Sequence, residues 1–109
     1  MFVIDGTLMK VIQGDTGEFE LALDNYEFVE GDKVYMTIKK NPKDTRALVQ
    51  KVITEFSGNT AFIKLEHEDT NLDQGKYYYD IQCSLLDGRI DTVIPPSIFF
   101  VMEGITDDR

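Results

Sequence analysis

Glu18-Phe19-Glu20-Leu21-Ala22-Leu23-Asp24 alternates apolar and polar side chains at period two. In an extended chain that spacing puts Phe19, Leu21 and Leu23 on one face and Glu18, Glu20 and Asp24 on the other, whereas 3.6 residues per helical turn would scatter them. The segment reads as a half-buried strand. The same alternation recurs in Val34, Met36 and Ile38, in Ala61, Ile63 and Leu65, and in Tyr77, Tyr79, Ile81, Cys83 and Leu85. Weaker strand candidates are Thr7 to Gln13, Ile90 to Ile94 and the apolar run Ile98 to Met102.

The punctuation between these runs suits tight reversals, because Gly, Asn and Asp tolerate positive φ. Asp87-Gly88 reads as a two-residue hairpin turn, and Ser57-Gly58-Asn59, Glu30-Gly31-Asp32 and Gly14-Asp15-Thr16-Gly17 mark others. Pro95-Pro96 lacks ladder donors, so it is expected to interrupt pairing before the last strand or to lie at a sheet edge. Residues 44–54 admit two readings. Asp44 suits the cap of a short helix with Leu48, Val49, Val52 and Ile53 on one face, while the β-branched side chains favour the strand, which is preferred. Seven or eight short strands without a long helix describe an all-β sandwich in one domain, residues 1–109.

Composition bounds the function. The 109 residues carry 11 basic and 20 acidic side chains, a net charge of −9 that argues against nucleic acid as a partner. A chain of this mass buries about two-thirds of its unfolded surface, enough for a core without disulfides or metals. The longest apolar run, Ile98–Met102, falls far short of the roughly 20 residues of a membrane span, and Met1-Phe2-Val3-Ile4-Asp5 lacks the basic start of an export signal. No membrane partner is expected. Charge is unevenly placed: residues 33–51 hold Lys33, Lys39, Lys40, Lys43, Arg46 and Lys51 against Asp44, a local +5 that leaves −14 elsewhere. Such lysines blunt an exposed strand edge, or meet an acidic partner or neighbouring copy. Lys39, Lys40 and Lys43 are therefore candidate contact residues. Phe99 and Phe100 join them, because Ile98–Met102 is more apolar than one inward face requires.

Catalytic chemistry is scarce. His67, the one histidine, sits among acidic residues at an expected strand end and reads as solvated, and Cys83, the one cysteine, reads as a buried inert thiol. Asp69-Thr70-Asn71-Leu72-Asp73-Gln74 begins like a calcium loop, but Gln74 replaces the turn glycine and Asp80 the terminal glutamate. No nucleophile with an activating base is visible, so neither an enzyme nor a cofactor is expected.

Asp73-Gln74-Gly75-Lys76-Tyr77-Tyr78-Tyr79 has the spacing that leads into strand F of immunoglobulin-like Greek-key sandwiches, where the tyrosine hydroxyl bonds back to the backbone. Asp73, Gly75 and Tyr77 are the candidate corner. Tyr79 stands where antibody-type domains place cysteine, and the chain has no tryptophan, so the resemblance is architectural. Ile12-Gln13-Gly14-Asp15-Thr16, Phe19-Glu20-Leu21, the run Glu30 to Lys40 and the run Asp73 to Gln82 together resemble the small β-sandwich modules of tailed bacteriophages and prophages. They are most similar to the N-terminal domain of the phage baseplate upper protein, from about Leu8 to Thr106. The resemblance implies a non-enzymatic part made in bacterial cytoplasm and placed in a virion tail, baseplate or fibre. Its implied partners are other virion proteins or copies of itself in a homo-oligomer. A bacterial carbohydrate-binding or adhesin-like domain is the alternative, with Tyr35 and Tyr78 as its outward aromatic residues.

Overall fold

A computed structural model describes residues 2–105, apart from the side chains at positions 3 and 5. In chain order the elements are β1 (Phe2–Asp5), β2 (Leu8–Ile12), β3 (Gly17–Ala22), β4 (Lys33–Lys39), β5 (Val49–Ile53), β6 (Phe56–Ser57), β7 (Thr60–Leu65), α1 (His67–Thr70), β8 (Gly75–Ser84) and β9 (Ile90–Met102). Six strands form one sheet in the order β1-β2-β9-β8-β4-β5, and three form a second in the order β3-β7-β6. Neighbours are antiparallel except β2 and β9, which run parallel with Met9 opposite Phe99 and Ile12 opposite Met102. The protein is all-β in two sheets, as the alternation requires.

The core lies where the two apolar faces meet. Val34, Met36 and Ile38 of β4, Tyr79, Ile81 and Cys83 of β8, and Phe99 and Val101 of β9 are all buried, against Ala61, Ile63 and Leu65 of β7. Register enforces this, because a slip of one residue would turn every such side chain to solvent. Phe19 and Leu21 pair with Ile63 and Ala61 on the inward side of β3 and are half-buried, since β3 is an edge. Phe28 and Phe56 stack at 4.3 Å and close one side of this core.

Several boundaries differ from the sequence reading. Ile90–Ile94 and Ile98–Met102 are one strand, not two. The prolines do not end it. Between the pairs Tyr79–Ser97 and Ile81–Ile94 the β9 chain carries one more residue than β8, a bulge that excuses Pro95 and Pro96 from donating. Pairing with β2 begins only at Phe99, so the earlier half of β9 is a free edge. Of residues 44–54 only Val49–Ile53 is strand, and the part before it is a loop. The Asp87-Gly88 turn is longer than two residues: Leu85 and Arg89 are bonded across Leu86-Asp87-Gly88, and Gly88 takes φ +97°. A type I turn followed by a left-handed residue needs such a glycine. The segment after β7, read as a strand end, makes one helical turn, α1.

That turn has a structural task. The His67 Nδ1–H donates to the Gly14 carbonyl at 2.7 Å, and the Thr70 hydroxyl donates to the Asp15 carbonyl at 2.6 Å. The Gly14 amide donates to the Thr70 carbonyl in return. His67 is therefore half-buried and fastens the β2–β3 loop, contrary to its solvated reading. Asp69, first residue of the calcium-like run, is buried and accepts from Lys51 Nζ at 2.7 Å and from the Glu66 amide at 2.8 Å. Lys51 thus leaves the exposed basic group, because it faces inward opposite Met36.

Candidate functional site

The corner is built first. β8 begins at Gly75, whose φ of +145° a side chain would oppose, and two residues later Tyr77 turns inward, 5% exposed. Its hydroxyl donates to the Asp73 carbonyl at 2.6 Å, four residues back, so the segment entering β8 is tied to the strand it feeds. Burial, then the nearby Asp73 carboxylate, push the Tyr77 phenol up from its ordinary pKa. Lys40 Nζ lies 4.5 Å from the centre of the Tyr77 ring and donates to the Lys76 carbonyl at 3.3 Å. Tyr77→Phe is expected to lower unfolding free energy by about 1 kcal/mol, the net worth of one hydrogen bond, in urea titration. An unchanged midpoint would mean that the bond does not fasten the corner.

Beyond the corner, the outer face of the six-stranded sheet gathers the residues that have no packing role. Phe100 is flanked in register by Lys10 of β2 and Lys76 of β8, and Ile98 lies opposite Tyr78. Ile98 is 36% and Phe100 39% exposed, an apolar patch with a cationic rim. Phe99 has no part in it. Its ring is fully buried, 6.3 Å from that of Tyr79, so of the two candidate phenylalanines only Phe100 is open to a partner.

The three candidate lysines are not equivalent. Lys39 Nζ donates to the Asp44 carbonyl at 2.8 Å, and Lys40 is committed to the Tyr77 corner. Lys43 is exposed at the tip of the β4–β5 loop. Two of the three are therefore engaged within the chain, Lys39 at that loop and Lys40 at the corner, roles that spacing did not reveal.

Next to the patch the same face sinks into a depression of about 490 Å³. Cross-strand pairs make its floor, Tyr35 opposite Gln82 and Thr37 opposite Asp80, with Gln50 of β5 beside Thr37. The loop residues Pro42, Thr45 and Ala47 form one wall, and Pro96 at the β9 bulge contributes to the other side.

At the β8–β9 turn, Asp32 is a hub that the sequence reading passed over. It is 1% exposed and accepts from the Tyr26 hydroxyl at 2.5 Å, the Val29 amide at 2.9 Å and the Leu86 amide at 2.8 Å. Burial alone would raise its pKa, but these donors and the Arg89 charge together hold the carboxyl below its ordinary value. The same bond pushes the Tyr26 phenol up to about 12. The signal available in the sequence is Glu30-Gly31-Asp32 itself, which reads as a turn.

Cys83 is buried on the inward face of β8, and burial, with Asp91 and Asp32 nearby, pushes its thiol up and away from the reactive thiolate. Among the described residues no three His, Cys, Asp or Glu side chains gather to hold a metal ion. No helix among them is long and apolar enough to cross a membrane. No protein-family model matches the chain, and no curated protein matches it.

Proposed function

We infer that this chain is a non-enzymatic structural module of a tailed phage or prophage, holding proteins together in a tail, baseplate or fibre. The fold we infer for it is an immunoglobulin-like Greek key. Two kinds of support stand behind the fold. β3, β7 and β6 lie in the order of strands B, E and D, while β9, β8, β4 and β5 lie in the order G, F, C and C′. Tyr77 then falls on the F-like strand, where a corner tyrosine belongs. The resemblance between Leu8 and Thr106 adds the virion setting.

The observation that carries the contact role is Phe100, turned outward between Lys10 and Lys76 beside Ile98. A large aromatic side chain at the centre of an apolar patch is the usual anchor of a protein interface, and a cationic rim steers acidic partners toward it. Further copies of the chain offer acidic surface. Glu18 and Glu20 of β3 face outward on the opposite sheet.

The test is assembly mass by light scattering, for the chain alone at two concentrations and mixed with the products of adjacent reading frames. Wild-type protein is expected to form a defined complex, and Phe100→Ser to lose it while keeping its melting temperature. A chain that stays monomeric in every mixture would overturn the reading.

A further inference from the structure

We propose that the depression floored by Tyr35, Thr37, Gln50, Tyr78, Asp80 and Gln82 is a binding site for a neutral oligosaccharide. It adjoins the Phe100 patch, with Tyr78 opposite Ile98, but does not depend on the virion reading.

The floor is rich in hydrogen-bonding groups that the fold does not use. Among the described residues, the side chains of Tyr35, Tyr78, Asp80 and Gln82 have no hydrogen-bond partner within the protein. Gln50 and Thr37 share a single long bond of 3.4 Å. Apart from Gln50 on the edge strand β5, these groups lie on β4 and β8, which are each paired on both sides. A peptide cannot add a strand to β4 or β8 themselves, so on this floor recognition goes through side chains.

The chemistry of the set selects among ligands. The amides and hydroxyls both donate and accept, and Asp80 accepts only, a mixture that matches sugar hydroxyls, each of which also does both. An anionic ligand would meet the Asp80 carboxylate in the floor, while Lys39 at the edge is already tied to the Asp44 carbonyl. A cationic one would compete with Lys76, whose Nζ already sits 5.5 Å from the centre of the Tyr78 ring. A neutral polyol meets neither obstacle.

The aromatic placement sets the length. Tyr35 pairs with Gln82, and Tyr78 pairs with Lys39, four residues further along β4. At the strand rise this separates the tyrosines by about 13 Å, too far to clasp one sugar ring or two adjacent ones and suited to non-adjacent rings of one chain. Each phenol ring offers an apolar face for the C–H side of a pyranose, with a hydroxyl beside it.

The site is also preformed. The β4–β5 loop that walls it is held by Lys39 on the Asp44 carbonyl, by the Asn41 amide on the Asp44 carboxylate at 3.0 Å, and by the Leu48 amide on the Ile38 carbonyl at 2.8 Å. Pro96 lines it at the β9 bulge, and Ser97 Oγ donates to the Pro95 carbonyl at 2.7 Å beside it. Depressions of this size with convergent polar groups are where small ligands bind.

The test uses the intact chain, a printed array of neutral glycans, and amide NMR titration with the array's best binder alongside maltohexaose, cellohexaose and chitotetraose. At least one glycan is expected to shift the amides of Tyr35, Thr37, Asp80 and Gln82. Asp80→Ala and Tyr78→Ala should each weaken it about tenfold or more with melting temperature unchanged, whereas Phe100→Ser should bind as wild type. No binder on the array, shifts that map instead to Ile98 and Phe100, or full affinity in Asp80→Ala would each overturn the proposal.

Discussion

Phe99→Ala is expected to lower the free energy of unfolding by about 3–5 kcal/mol, measured from guanidinium midpoints at constant slope. The ring is fully buried in β9, edge-on to Tyr79, and opposite Met9 across the parallel pair. Truncation leaves a cavity that β2 and β8 cannot close without breaking register on both sides of β9. One residue along, Phe100→Ser should cost under about 1 kcal/mol, because that side chain is already partly in water and removing it opens no void. The two substitutions therefore separate folding from contact. A stability loss at Phe100 comparable to that at Phe99 would mean that the outward patch is packing surface and not an interface.

Asp32→Ala is expected to cost about 3 kcal/mol in the same assay, since three donors lose a shared ionised acceptor in one step. The Val29 amide, the Leu86 amide and the Tyr26 hydroxyl belong to the segment before β4 and to the β8–β9 turn, so the loss spreads to both. The pH dependence has a definite sign. Although burial opposes ionisation, hydrogen bonds hold the folded carboxyl below its ordinary 3.8. A group depressed in the folded state binds its proton more readily when unfolded, so its contribution is complete above about pH 5. It is lost as pH falls through the lower folded value. Subtracting the stability profile of Asp32→Asn from that of wild type should leave a difference that shrinks below about pH 4. A difference that stays flat down to pH 2 would contradict the depressed carboxyl.

Much of the architecture was legible in period-two alternation. Val34, Met36 and Ile38, the series from Tyr77 to Cys83, and Ala61, Ile63 and Leu65 all turned inward where the alternation placed them. Boundaries were less legible wherever a local signal had a second solution. Pro95-Pro96 reads as an interruption of pairing or a sheet edge, and both occur at once: a bulge on a free stretch of β9 lets the strand run through, because each proline needs only a position that donates nothing. His67 reads as solvated among acidic neighbours, and Asp69 as the start of an incomplete calcium loop. Only the approach of the β2–β3 loop and of Lys51, distant in sequence, supplies their partners.

The candidate contact and ligand residues divide along the same line. Outward alternation marks Tyr35 and Tyr78 from the sequence alone, whereas only burial in the folded sheet separates Phe100 from Phe99. Nothing local tells that Tyr35, Asp80 and Gln50 come from three neighbouring strands to floor one depression, or that Lys39 and Lys40 are engaged at home.

By itself, then, the order of side chains determined which face of each strand is apolar, hence an all-β protein in facing layers, since alternation is a property of the extended chain with its nearest neighbours. Tertiary structure decided which strands lie side by side, the parallel seat of β9 on β2, and the grouping of polar side chains on the outer sheet. Those depend on contacts between residues far apart in the chain, whose pairing energy is set only once the layers have closed on a common core.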